Sequence, residues 1–405
     1  MIQPPEKSSP RKIAVVTTSR ADYGHLYWTL KELKNRPQIN LRLIALSAHF
    51  SPAFGNTYKE IEADGFTIDE RVECLISSDS DVGMAKTIGV AAIGLADVLG
   101  RMRPDVLLLI ADRYEMLAPA SVALALRIPI AHIEGGDISE GAIDDAVRNA
   151  LTKMSHIHFT TNENSRLRVL AMGEEAWRVH LVGSPSLDNL RCRTLFSRAE
   201  IEADLELKFN RQTIVVAYHP VTLARDTVSE AGAVFAALEK IPQQIVFCYP
   251  NSDAGSHQLI ERAREFCRNH PNARLFVNLN HLKYWSLLSC ADLLVGNSSS
   301  GIMETPSLGL PTVNIGIRQK GREQARNVIN VAPETDSILS AIDKGLSADF
   351  KESLKGMTNP YGDGHASERI AEILCQTPLG DKLLIKRAVP LENMNLRQEE
   401  TVKGL

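Results

Sequence analysis

Six apolar runs in this sequence end in residues that can bind an anion or move a proton. KIAVVTT is followed by Ser19, Arg20 and Asp22, DVLLLIA by Asp112 and Arg113, and IPIAHI by Glu134, Gly135, Gly136 and Asp137. Further along, TIVVAY leads to His219, QIVFCYP to Asn251 and Asp253, and DLLV to the turn Gly296-Asn297-Ser298-Ser299-Ser300. Carboxylates and a histidine are the groups of acid–base chemistry. A Gly/Ser turn between a strand and a helix offers unpaired backbone N–H groups as well as hydroxyls, and phosphate is its natural ligand. Glu304 follows one turn later. Position 301 is glycine, so no capping box claims this acid, which leaves it free to accept hydrogen bonds from paired hydroxyls such as those of a ribose. The same turn is also compatible with an ordinary βα connection carrying a dipole-favoured acid.

Each of these residues has a structural reading beside the chemical one. Asp112 and Arg113 could serve as the N-cap and a surface charge of the helix starting near Tyr114. Glu134, wedged between an apolar strand and two glycines, suggests close approach of a ligand. Burial there is expected to raise its pKa into the range of a catalytic acid or base. His132 keeps an open role. Asp144 and Asp145 precede an amphipathic helix and suit its N-terminal dipole. His219 is held extended by Pro220 at the end of a buried strand and is an acid–base candidate. His156, His158, His257 and His270 are placed on helices or surface-like loops and assigned nothing.

The elements that must position these residues alternate along the chain. The runs above, with LRLIALS and HIHFTT, are nearly continuous in Val, Ile and Leu, as parallel strands covered on both faces are. Between them lie helix-length amphipathic stretches at Gly24–Lys34, Thr57–Asp64, Gly83–Arg101, Tyr114–Arg127, Asp144–Ser155 and Asn164–Met172. This is a doubly wound α/β pattern. After a Gly/Pro/Ser-rich break near residues 183–195 the alternation restarts through RLFVN, DLLVG and PTVNIG, with helices that include His281–Ser289, Gly301–Leu308 and Thr335–Gly345. The expected organisation is a lead-in at 1–11, a first domain at 12–185, a second at 186–375 and a fraying polar tail at 376–405. The helix at 364–375 either closes the second domain or crosses back to the first. In open α/β sheets ligands gather beyond the carboxyl ends of the strands, so the cleft between two such domains is the expected site.

Composition narrows the classes. At 405 residues with 44% hydrophobic and 23% charged residues the chain is of ordinary globular type and long enough for two domains. A net charge of -4 argues against general nucleic-acid binding. The six cysteines are scattered without a CxxC pair, which fits a reducing compartment. The N-terminus lacks a signal-peptide core, and no run is read as long enough to span a membrane, so a cytoplasmic protein is expected. No HExxH, cysteine cluster or EF-hand loop suggests a metal, and the missing GxGxxG weakens a nicotinamide-dependent reading.

In order along the chain, TTSRADYGHL, LIADRYEMLAPA, AHIEGGDISEGAIDDAVRNALTKMSHIHF, VGSPSLDNL, YHPVT, YPNSDAGS, GNSSSGIMETPSLGLPTVNIGIRQKGRE and NPYGDGHASERI resemble the hydrolysing UDP-N-acetylglucosamine 2-epimerases. That family includes enzymes of bacterial sialic- and legionaminic-acid synthesis and the epimerase half of the animal bifunctional epimerase/kinase. The resemblance implies a glycosyltransferase-B-like fold of two Rossmann-like domains, with UDP held mainly by the second. It places Ser298 and Ser299 on phosphate and Glu304 on the ribose, with Arg20, Arg318 and Arg322 near the diphosphate. It makes Asp112, Glu134 and Asp144 catalytic carboxylates and His219 the active-site histidine, and puts Arg113 and Asn251 at further cleft positions. The implied reaction is anti elimination of UDP across C1–C2, followed by hydration of the glycal to a free 2-epimer, without metal or redox cofactor. A non-hydrolysing epimerase and a glycosyltransferase are the alternatives on the same fold. The sugar's C4 and C6 groups are expected to meet the loops Ser51–Asn56 or Ser77–Met84. The resemblance also implies a homo-oligomer, dimer or tetramer.

Overall fold

The computed structural model describes residues 9–78, 80–221, 230–249, 256–277 and 279–389. Asn251 and Asp253 lie outside the described residues. Two parallel sheets organise the chain. The first contains β1 (Arg11–Thr17), β2 (Ile39–Leu46), β3 (Glu70–Val72), β4 (Val106–Ile110), β5 (Ile130–Ile133), β6 (Ile157–Thr160) and β7 (Val179–Leu181), in the order β3-β2-β1-β4-β5-β6-β7. The second contains β8 (Thr213–Ala217), β9 (Gln244–Tyr249), β10 (Ala273–Val277), β11 (Leu293–Gly296), β12 (Thr312–Ile315) and β13 (Val328–Val331), in the order β10-β9-β8-β11-β12-β13.

The central strands are the runs legible in the sequence: every residue of β4, β5, β8 and β11 is buried. The strands that periodicity did not mark, β3, β7 and β13, are all sheet edges. With one side unpaired they carry charged or polar residues and only three or four positions each, so no apolar run announces them. Strand order reverses between β1 and β4 in one sheet and between β8 and β11 in the other. Chain leaving those four strands therefore diverges to opposite faces and opens a crevice.

Three segments differ from expectation. The helix expected to begin at Gly24 begins at Arg20, because Ser19 caps it by accepting from the Asp22 N–H. The stretch Gly301–Leu308 is two short helices, Ser300–Met303 and Thr305–Leu308, broken at Glu304 ahead of Pro306. The segment expected to fray from residue 376 is held as far as Lys386. Leu383 is buried in the first core, and the buried Arg178 guanidinium donates to the carbonyls of Leu383 (2.7 Å) and Ile385 (2.9 Å). The helix Ala366–Gln376 also crosses to that core through Ile370, Ala371 and Leu374.

The helix Asp81–Met102 corrects a further reading: it has 22 residues, and with an 18-residue stretch of mean hydropathy 1.6 it is, by length and composition alone, long and apolar enough to cross a membrane. It lies along the first sheet, with Ala91, Leu95 and Leu99 fully buried in the core.

Candidate active site

The strand ends at the two reversals carry the predicted residues to one place. Ser19 and Arg20 leave β1, and Asp112 leaves β4 through Ala111, whose φ is 56°. Glu134 leaves β5 with a φ of 66°. A left-handed conformation costs a non-glycine residue roughly 1–2 kcal/mol, and here it turns each carboxylate off its strand into the cleft. Across the cleft, Asn297 ties the other reversal together. Its buried amide accepts from the His219 N–H (2.7 Å) and donates to the His219 carbonyl (2.9 Å).

Two adjoining cavities result. One is lined by Arg20, His219, Tyr284, Trp285, Ser298, Ser299, Ser300 and Glu304. The other is lined by Asp22, Asp112, Arg113, Glu134, Asp144 and Arg322. Ala21, His25, Ser299 and Arg318 line both.

The first cavity is built for an anion with hydroxyls. Arg20 is half-buried with its Nη1 fully enclosed, and desolvation lowers its pKa from the ordinary value. Its Nη1 has no hydrogen-bond partner among the described residues, and neither has Nε of Arg318 or Oε2 of Glu304. Buried polar groups without partners are costly, so three of them around one cavity mark a polar ligand. Burial raises the Glu304 pKa. Tyr284 and Ser298 reach the Ser300 hydroxyl at 2.7 and 2.9 Å, and Ser299 stands at the mouth shared with the second cavity. His219 faces this cavity rather than the carboxylates.

In the second cavity the carboxylates are held by cations that the sequence did not reveal. Asp112 pairs with the fully buried Arg148, which also donates to the Asp137 carbonyl at 3.0 Å. Asp112 is not a helix N-cap: that position belongs to Arg113, which makes no side-chain cap. Arg113 folds onto Glu115, with Nη2 2.9 Å from Oε1. Glu134 accepts from the Ser184 hydroxyl at 2.8 Å and lies 3.5 Å from Nδ1 of His25. Burial pushes the Glu134 carboxyl up, but His25, Arg322 and Ser184 outweigh it and hold the pKa at about 2. The expected upward shift is thus reversed. His25 reaches the other way to Glu304, Nε2 to Oε1 at 3.5 Å. Burial works against its charge, yet Glu134 and Glu304 raise it to about 9. Asp22 is pushed up to about 6 by burial, against the nearby Arg113. Asp144 sits in the first turn of the helix Ile143–Met154 and lines the same cavity. Arg322 bridges the halves by donating to the Ile138 carbonyl at 3.0 Å.

His25 and Arg148 were missed. The signal for His25 was the Ser19 cap: a helix starting there puts Ala21, Gly24 and His25 on one face beside the strand end. The remaining histidines divide differently than expected. His156 and His158 are buried, and His158 pairs with Glu174 at 3.1 Å. His132 is also buried, with Nε2 2.7 Å from the Ala111 carbonyl, so it supports the turn into Asp112. Neither Ser51–Asn56 nor the described part of Ser77–Met84 lines either cavity. The apolar contacts beside the carboxylates come from Ile110, Ala142 and Met303.

A family model described as UDP-N-acetylglucosamine 2-epimerase matches residues 31–375. The chain is 36% identical over 377 residues to the hydrolysing UDP-N,N'-diacetylbacillosamine 2-epimerase of Legionella pneumophila, covering 93% of this chain and 98% of that one. It is also 36% identical over 348 residues to the hydrolysing GDP/UDP-N,N'-diacetylbacillosamine 2-epimerase of Campylobacter jejuni, covering 85% and 90%. Among solved structures, UDP-GlcNAc 2-epimerase from Neisseria meningitidis bound to UDP-GlcNAc superposes with a TM-score of 0.76 at 20% identity, over 90% of this chain and all of that one. The shared fold is the two-sheet, glycosyltransferase-B-like one.

Proposed function

The chain belongs to the UDP-N-acetylglucosamine 2-epimerase family, and from that premise we propose that it hydrolyses a UDP-linked 2-acetamido sugar to UDP and the free 2-epimer. One observation carries the reading. A cavity that holds the unpartnered Arg20 Nη1 and Glu304 Oε2 atoms shares His25, Ser299 and Arg318 with a second cavity that gathers Asp112, Glu134 and Asp144.

UDP occupies the first cavity. Ser298, Ser299, Arg20 and Arg318 take the diphosphate and Glu304 the ribose, while Tyr284 and Trp285 supply aromatic walls. The sugar projects past His25 among the carboxylates. In the first step a carboxylate takes the C2 proton, the C1–O bond breaks and its electron pair leaves with UDP, giving the glycal. Water then adds to C1 and a proton returns to C2 from the opposite face. Positive charge developing on the ring is met by the carboxylates, and negative charge on UDP by Arg20, Arg318 and protonated His25. We assign the two proton transfers at C2 to Asp112 and Glu134, with Asp144 beside them. The acid held near a pKa of 2 by its neighbours enters the reaction ionised. His219 shapes the nucleotide side.

Two relatives at 36% identity are named for UDP-N,N'-diacetylbacillosamine, whereas those named for UDP-N-acetylglucosamine are at 32% or less. We therefore take the former as first substrate to test, with Ile110, Ala142 and Met303 beside its C4 and C6 groups. A nucleotide sugar substrate and six free cysteines support the cytoplasm as compartment. We further propose a homo-oligomer.

The test is to incubate the protein with UDP-N,N'-diacetylbacillosamine or UDP-N-acetylglucosamine in D2O without acceptor and follow the reaction by NMR. Free UDP with a 2-epimer deuterated at C2 is expected. A UDP-linked epimer would move the chain to the non-hydrolysing branch, and no turnover of either donor would sink the epimerase reading.

A further inference from the structure

Past the helix Ala366–Gln376, residues 381–386 lie as a strap on the first domain, and two side chains fasten it in different ways. The fully buried Arg178 grips the strap by main-chain carbonyls, those of Lys382 (3.1 Å), Leu383 (2.7 Å) and Ile385 (2.9 Å). Lys386 reaches the other way, from the strap into the domain. Its ammonium donates to the Lys153 carbonyl at 2.9 Å, the Ser155 carbonyl at 2.8 Å and the Glu174 carboxylate at 2.8 Å. Three N–H groups thus meet three acceptors. Two of these stand at the carboxyl end of the helix Ile143–Met154, where carbonyls lack helical partners and a cation is favoured. The third, Glu174, also takes Nζ of Lys153 at 2.6 Å and Nε2 of His158 at 3.1 Å.

The helix that Lys386 fastens holds Asp112 from two sides. Arg148, about 9 Å before the helix end at 1.5 Å per residue, pairs with Asp112 and donates to the Asp137 carbonyl at 3.0 Å. One turn later Thr152 donates to the Arg148 carbonyl at 2.8 Å and stands 3.4 Å from Nδ1 of His132. Nε2 of that histidine lies 2.7 Å from the Ala111 carbonyl, in the turn that leads into Asp112. Asp144, in the first turn of the same helix, lines the cavity with Asp112 and Glu134. We infer that Lys386 is a positioning residue for the reaction: by fastening the carboxyl end of the helix Ile143–Met154 it keeps Arg148 and the His132-supported turn in place, and so aims Asp112. The inference rests on the reading of Asp112 as a carboxylate that acts at C2. Neither Lys386, Arg148 nor Thr152 lines the nucleotide cavity, so the latch bears on turnover and not on the hold on UDP. Arg178 and the buried Leu383 keep the strap docked without Lys386, so its substitution isolates the grip on the helix.

Lys386→Met and Lys386→Arg in the full chain test it, with circular dichroism melts showing that both are folded at the assay temperature. Hydrogen exchange followed by mass spectrometry reads the helix, and UDP release with calorimetry of UDP reads the site. In Lys386→Met, peptides spanning 147–152 should exchange at least about fivefold faster. Its kcat should fall at least about threefold, as a displaced catalytic group requires, while KM and the affinity for UDP stay within about twofold. Lys386→Arg keeps a cation at the helix end and should recover at least about half of the lost kcat. Faster exchange confined to the last turn with unchanged kcat would overturn the inference. So would a loss of UDP affinity as large as the loss of kcat, or an arginine variant no better than the methionine one. The exchange measurement needs no turnover and separates this inference from the reaction. A wild type that turns over neither donor would sink the epimerase reading, whereas exchange at 147–152 indifferent to Lys386→Met would sink the latch alone.

Discussion

The two halves of the cleft turn the chain at their strand ends with different residues. In the first sheet, Ser47, Ala111 and Glu134 follow β2, β4 and β5 in left-handed conformations, with φ of 58°, 56° and 66°. In the second, the positive φ values fall on Gly296 (147°), which ends β11, and Gly316 (73°), just after β12. A Cβ on Gly296 would lie 2.1 Å from the Ala217 carbonyl oxygen, and one on Gly316 would lie 2.6 Å from a Glu230 carboxylate oxygen. At Gly296 the nucleotide side brings backbone close to backbone so that a turn can present N–H groups and hydroxyls, and only glycine fits there. The chemical side needs a carboxylate in place, so it keeps side chains at strained positions and holds them with buried cations. Binding and chemistry should therefore fail separately when either half is altered.

Glu134→Gln is the largest expected break. Removing the ionisable group should lower turnover at least about 100-fold while leaving the affinity for UDP within about threefold, since Glu134 lines only the second cavity. UDP release at saturating sugar nucleotide and calorimetry with UDP measure the two. Loss of UDP binding with unchanged turnover would refute the division. Arg20→Lys probes the other half. The buried guanidinium with a free N–H should give up at least about tenfold in UDP affinity when replaced by a point charge. A variant that binds UDP as wild type does would remove Arg20 from the diphosphate.

How much of this was readable in advance follows the same division. The central strands were legible because burial on both faces makes them continuous apolar runs, and the residues after them were therefore found as well. What escaped depends on partners distant in sequence. Arg148 reaches Asp112 across 36 positions. The environment of Glu134 is assembled from His25, Ser184 and Arg322, three separate segments. Burial alone gave the wrong sign for its pKa because charges from those segments outweigh the local strand. The edge strands β3, β7 and β13 and the segment held by Arg178 escaped for a related reason: each is stabilised by its neighbours, not by its own composition.

His25 joins the halves, and its titration sharpens the comparison. Its pKa is raised to about 9, so its contribution to stability is complete below its unfolded value of roughly 6.5 and is lost as pH rises through about 9. Glu134, depressed to about 2, contributes above its unfolded value of roughly 4.3 and loses that contribution as pH falls through about 2. The charged pair therefore persists across the neutral range. If protonated His25 meets the charge of departing UDP, kcat/KM of the wild type should decline above about pH 9. In His25→Gln the decline should vanish, from a rate lower by roughly tenfold. A variant that keeps the alkaline decline would assign it to another group.

The smallest effect concerns the strain itself. Ala111 pays roughly 1–2 kcal/mol for its left-handed turn, whereas glycine adopts it freely but adds about 0.5–1 kcal/mol of unfolded-chain entropy. Ala111→Gly should therefore leave stability unchanged or raise it by up to about 1 kcal/mol, the reverse of the usual cost of an alanine-to-glycine change. Turnover should fall a few-fold, because the added freedom loosens Asp112 between its strand and Arg148. Urea unfolding midpoints and initial rates on the same preparation report both. A clear loss of stability would mean that the turn at Ala111 is not strained. Unchanged turnover with raised stability would mean that Arg148 alone aims Asp112, so that the left-handed turn on the chemical side serves the path of the chain, as the glycines do opposite.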